Sequence, residues 1–186
     1  MKITIIIHEP SLSGANLGLL EAIISLKDED IELTLVSPAY GKLIKEIIDV
    51  FPSTRVLITP YRWWMSGEKN WSRLYPLRIL LRNILVVWDL TKLFKKTKPD
   101  LIWSNTITIN IGFYLSKILN IRHVWYIHEF GTLDHGLKFN FGSKIARIIL
   151  RNSGDIVVNS KTTSEHFKNL LNKEVPFIYY SMEMFR

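Results

Sequence analysis

Short runs of consecutive apolar residues alternate along the chain with longer stretches whose apolar positions recur every three to four residues. The runs are "KITIII" (2–7), "IELTLVS" (31–37), "TRVLIT" (54–59), "DLIWSN" (100–105), "RHVWYI" (122–127), "GDIVVNS" (154–160) and "VPFIYY" (175–180). Each is rich in β-branched or aromatic residues and short enough to be a strand. Between them, Leu19, Leu20, Ile23, Ile24 and Leu26 hold helical spacing, as do Leu43, Ile44, Ile47, Ile48 and Phe51. The same periodicity predicts helices over 73–96, 107–119, 141–151 and 161–171. Alternation of this kind, with strands that are apolar throughout, predicts a parallel sheet covered by helices on both faces. The expected fold class is α/β: a single doubly wound, Rossmann-like domain with a mainly parallel sheet of about seven strands.

In such sheets ligands sit beyond the carboxyl ends of the strands, so the polar residues just after each strand carry the functional signal. After the first strand comes "HEPSLSGANLG", where Ser13 and Gly14 precede a helix. Free amides at a helix start favour a phosphate, and Gly permits close backbone approach. Ser13 as a helix cap and Gly14 as a turn residue explain the same letters. After the fourth strand, Asn105 and Thr106 offer small donors and acceptors or serve as caps. After the fifth comes "HEFGTLDHG", in which His128-Glu129 repeats the His8-Glu9 pair after the first strand. Two His-Glu pairs at two strand ends suggest a site, to which Asp134 and His135 are near in sequence.

Several chemistries are excluded. G-x-G-x-x-G is absent, which argues against a dinucleotide dehydrogenase, and no G-x-S-x-G elbow exists for a serine hydrolase. The five His residues lack zinc-ligand spacing and Cys is absent, so no metal site is expected and no disulfide or thiolate chemistry exists. A chain without cysteine suits a reducing compartment such as the cytoplasm. The 47% hydrophobic share fits a folded domain, and 186 residues suffice for one core but not comfortably for two. The N-terminal apolar run is too short for a signal peptide, and no stretch approaches the roughly 20 residues of a membrane span.

Charge changes the picture in one segment. Residues 60–98 hold nine Lys or Arg against Glu68 and Asp89, which accounts for the whole net charge of +7. On the helix expected there, Arg78, Arg82, Lys92 and Lys96 share one stripe, and the loop before it holds Trp63, Trp64 and Trp71. Trp with Lys or Arg beside surplus apolar helix surface is a pattern of interfacial membrane binding, with Trp63, Trp64 and the four basic residues facing an anionic surface. A buried crossover helix with a basic solvent stripe fits equally. No nucleic-acid-binding signature is present.

Three stretches, "HEPSLSGANLGLLEAIISL", "PDLIWSNTITINIGFYLSKILNIRHVWYIHEF" and "GDIVVNSKTTSEHF", resemble in order and spacing the N-terminal half of retaining glycosyltransferases of family four. Those enzymes have the GT-B fold, two Rossmann-like domains facing across a cleft. The resemblance implies metal-independent transfer of a sugar from a nucleotide-sugar to a glycan or lipid-linked acceptor in cell-surface polysaccharide biosynthesis. The nucleotide-sugar is a substrate, and no cofactor is implied. It places His128 near the reacting sugar as the catalytic candidate, and Ser13 and Gly14 against the donor diphosphate. His8, Glu9, Asn105, Thr106, Glu129, Asp134 and His135 become acceptor-binding or cleft-lining candidates. Many relatives carry His where Tyr126 stands. The family's C-terminal donor-binding domain has no counterpart in residues 1–186, so the chain is expected to be inactive without that domain or a partner subunit. A non-catalytic GT-B-like subunit that pairs with an active transferase is the alternative. Either would be cytoplasmic, with a peripheral place on the inner face of the plasma membrane.

Overall fold

The computed structural model describes residues 1–67, 74–133 and 136–179. Trp71, Asp134 and His135 lie outside the described residues. Strands β1 (Lys2–Ile6), β2 (Glu32–Ser37), β3 (Arg55–Ile58), β5 (Leu101–Asn105), β6 (Arg122–Ile127) and β8 (Asp155–Val158) form one six-stranded sheet. Its order is β3-β2-β1-β5-β6-β8 and every pairing is parallel. The order runs outward in both directions from β1, so the switch point of a doubly wound sheet falls between β1 and β5. Helices α1 (Gly14–Ser25), α2 (Lys42–Val50), α3 (Tyr75–Thr97), α4 (Ile111–Leu119), α5 (Gly142–Asn152) and α6 (Lys161–Leu171) connect the strands.

Alternation along β1 divides the core. Ile3, Ile5 and Ile7 pack with Leu19, Leu20 and Ile23 of α1 and Leu43, Ile44 and Ile47 of α2. Ile6 turns to the other face, with Val86, Val87, Leu90 and Phe94 of α3 and Leu115 of α4. Trp125 and Ile127 of β6 join Ile149 and Leu150 of α5 and Phe167 of α6. Helix α4 sits so close to the sheet that a Cβ on Gly112 would come within 2.1 Å of Ser104 Oγ, which itself bonds His123 Nε2 at 3.0 Å. No residue larger than Gly fits there without displacing that pair.

Three departures from the sequence reading have local causes. The helix expected from 107 begins at Ile111, because residues 106–110 form a loop that buries Ile107 and Ile109 at the strand ends. Among its described residues, 175–179, the last expected strand adds a bridge, Phe177 against Val158, since Pro176 has no N–H to donate to a ladder. A two-residue antiparallel ribbon, β4 (Met65–Ser66) with β7 (Lys138–Phe139), is too short for periodicity to register.

Candidate active site

At the carboxyl edge of the sheet, a cavity of about 580 Å³ is lined by His8, Glu9, Ser13, Gly14, Thr106, His128 and Glu129, together with Ala15, Trp63, Thr108 and Leu137. Seven residues singled out from the sequence thus converge on one space. A second cavity of about 520 Å³ adjoins it, sharing His8, Glu9, Trp63 and Leu137 and extending past Tyr61, Arg62, Ser66 and Tyr75.

His128 follows β6, and its position is set from behind. Asn16, fully buried in α1, donates from Nδ2 to the carbonyls of Glu9 (2.9 Å) and Ser11 (2.8 Å). That fixes its Oδ1 as the acceptor of Asn105 Nδ2 at 3.2 Å, and Asn105 Oδ1 then faces His128 Nε2 at 3.0 Å. An amide oxygen only accepts, so Nε2 carries the proton and Nδ1 is the acceptor nitrogen of the imidazole. Burial, with a smaller contribution from His8, pushes His128 down to about 3. His8 is pushed down to about 4 by burial, against the opposing pull of Glu9, whose Oε1 is 3.5 Å from its Nε2. Both rings are neutral at pH 7. Tyr126 packs its ring on His128 with centroids 4.1 Å apart.

Asn105 is therefore not a cleft-lining residue. It is fully buried, and its amide is committed to His128, Asn16 and the Ala15 carbonyl. Glu129 lines the cavity while organising two loops: Oε1 accepts from Ile107 N at 2.8 Å and Oε2 from His128 N at 3.1 Å. Thr106 holds φ at 84°, a left-handed conformation that costs a β-branched residue of order 1–3 kcal/mol. It is held there by Thr106 N donating to Tyr126 O at 2.8 Å, by Trp125 Nε1 donating to Thr106 O at 2.6 Å, and by contact with Thr108 Oγ1 at 2.7 Å.

Ser13 is the N-cap residue of α1, yet its hydroxyl makes no capping bond. Its Oγ is buried without a hydrogen-bond partner among the described residues, and the space over the Gly14 Cα is open. A helix start with open amides and a spare hydroxyl fits an anionic group better than it fits a simple cap.

The aromatic loop corrects the sequence reading. Trp64 is buried, stacks on Trp125 with centroids 6.0 Å apart and donates from Nε1 to Ile107 O at 2.6 Å. Trp63 donates to His8 O at 3.0 Å and packs beside the His8 ring. Their N–H groups find strand-end carbonyls; Trp63 walls the site, while Trp64 lines the groove between α3 and α4. Helix α3 pins this loop. Asn83 Oδ1 accepts from Arg62 N at 2.9 Å, Asn83 Nδ2 donates to Arg62 O at 2.8 Å, and Arg82 Nε donates to Pro60 O at 2.6 Å. Arg82 stays exposed, so it serves as a loop anchor at the surface. Arg78, Lys92 and Lys96 are exposed. The sequence reading passed over Asn16, Tyr61, Asn83 and Thr108; Asn16, two residues past Gly14, was the one whose position after a strand end could have marked it.

The family model for Glycosyltransferase Family 4 matches residues 12–179. The chain belongs to that family. Its fold is that of a GT-B half-domain, as solved structures also show. The Anabaena Alr3699/HepE protein in complex with UDP-glucose superposes with a TM-score of 0.66 at 18% identity, over 96% of this chain and 43% of that one. A glycosyltransferase from Rickettsia africae gives 0.66 at 16%, over 97% and 43%. The lipopolysaccharide outer core galactosyltransferase WaaB gives 0.61 at 14%, over 98% and 46%. The chain thus spans less than half the length of these structures. No curated protein sequence matches it.

Proposed function

We propose that this family 4 chain forms the acceptor-side half of a glycosyltransferase that moves a sugar from a nucleotide-sugar donor, with retention and without a metal ion, onto a glycan or lipid-linked acceptor of a cell-surface polysaccharide. The observation that carries the reading is the cavity in which a neutral, tautomer-fixed His128 shares space with the open start of α1. The donor diphosphate would lie against Ser13 and Gly14, where N–H groups and the helix dipole favour negative charge. His128, on the cavity wall, would lie against the reacting sugar, and its neutral imidazole would not repel the positive charge that develops at the anomeric carbon. The adjoining space along Arg62, Ser66 and Tyr75 would receive the acceptor. The nucleotide itself would be held by a donor-binding half beyond these residues, as the coverage of under half of HepE supports.

The test is sugar transfer by a two-domain protein that has this chain as its N-terminal half. His128→Ala should abolish transfer in a protein that still folds, with a loss of stability no larger than the broken Asn105 hydrogen bond and the lost Tyr126 contact account for. Full transfer by the folded variant would remove His128 from the site.

A further inference from the structure

The outer face of α3 is built for contact. Its buried residues are Ile79, Asn83, Val86, Val87, Leu90, Thr91 and Phe94. On the opposite side Leu77, Leu81, Ile84, Leu85 and Trp88 are all at least 49% exposed, the last two above 60%. At about 100° per residue these five fall within roughly 100° of the helix circumference. The stripe runs into a groove of about 540 Å³ between α3 and α4, where Ile84 and Trp88 meet Tyr114, Ile118 and Phe141. On α5, Ile145 and Ile148 are exposed as well. An apolar patch of this extent on a folded domain marks an interaction site.

Charge decides what it meets. Arg78 and Lys96 lie along one edge of the stripe, Lys92 within it and Lys95 at its end. Across α3, α4 and α5 the sole acid is Asp89, against Arg78, Arg82, Lys92, Lys95, Lys96 and Lys117 on α3 and α4, with more basic residues on α5. A second copy of the chain would bring the same positive field against itself. An anionic lipid surface matches both properties, since apolar side chains enter the acyl boundary while Lys and Arg reach the headgroups. We infer that the α3 face, with the adjoining ends of α4 and α5, docks on an anionic phospholipid bilayer. No described helix is long and apolar enough to cross a membrane, so the attachment is peripheral. It is independent of the reaction the cleft serves. Unlike the sequence reading, it leaves Trp63 out, and Trp64 takes part only as a buried residue lining the α3–α4 groove.

Flotation of the chain with vesicles tests this. It should bind vesicles of equal parts phosphatidylcholine and phosphatidylglycerol, not phosphatidylcholine alone, and high salt should release it. Joint substitution Arg78→Glu, Lys95→Glu and Lys96→Glu should weaken binding on the order of a hundredfold. Leu81→Gln with Leu85→Gln should weaken it by about tenfold or more. Equal binding to both vesicle types would overturn the inference, as would binding to neither. So would self-association in sedimentation that Leu81→Gln with Leu85→Gln abolishes while vesicles bind nothing.

Discussion

At the carboxyl edge of the sheet the chain hides polar groups, among them His8, Asn16, Asn105 and Thr106. Along the outer face of α3 it leaves Leu77, Leu81, Ile84, Leu85 and Trp88 in contact with solvent. Both regions invert the usual assignment of residue type to environment, and both inversions cost free energy unless something compensates. At the edge, the compensation is internal. Amide chains from Glu9 to His128 satisfy one another, so the site is ordered before any ligand arrives. On α3 nothing among the described residues compensates, which is what the inferred bilayer contact would supply. A buried polar network therefore reads as preparation, and an exposed apolar stripe reads as an invitation.

Acidification should break the contrast most strongly. His8, His123 and His128 are each pushed down, to about 4, 4 and 3, by burial. The unfolded chain binds protons near the ordinary value of 6.5 while the folded chain does not. Stability is then full above that value and falls as pH drops towards 4. Each imidazole should contribute a loss of roughly 1–2 kcal/mol between pH 7 and 5, read by denaturant unfolding at the two pH values. A flat profile over that range would mean that the rings, those of His8 and His128 at the edge and of His123 near the start of β6, are accessible to water.

Asn105→Ala comes next. It leaves the His128 Nε2–H and the Asn16 Oδ1 without their partner and opens space beside them, and should cost about 3 kcal/mol in the same measurement. Transfer should suffer beyond what stability explains, because the imidazole loses its fixed tautomer. A loss below 1 kcal/mol, roughly that of an ordinary surface change, would show that water replaces the amide. The smallest effect belongs to α3. Leu81→Gln with Leu85→Gln should change stability by no more than about 0.5 kcal/mol, since both are good helix formers already in water. A large loss there would mean that the stripe is covered in the free protein, and the two regions would no longer differ in kind.

Much of this was legible in the letters. The parallel order of the strands followed from their uniform apolarity, and the edge residues from the rule that ligands gather beyond strand ends. The direction in which a side chain points was not legible. Trp63 and Trp64 read as surface anchors because aromatic residues beside Arg and a turn look the same whether they face in or out. Only the carbonyls of His8 and Ile107, brought close by the fold from 55 and 43 residues away, draw their N–H groups inward. Asn105 looked like a cleft residue for a similar reason: its neighbour in the network, Asn16, lies 89 positions away. The apolar surplus on α3 was visible as composition, and its outward face needed the packing of Ile79, Val86 and Leu90 to be known.

The two oxygens of Glu129 make that residue a poor subject for the usual isosteric diagnosis. A carboxylate beside a histidine proposed for catalysis invites replacement by Gln, on the premise that shape survives and only basicity is lost. Here Oε1 faces one backbone donor, on Ile107, and Oε2 another, on His128. Whichever way a Gln amide is turned, its NH₂ group would meet an N–H head-on. The substitution would unseat the loop after β5 or the one after β6, and a dead Glu129→Gln enzyme would carry the signature of a missing proton acceptor without having lost one.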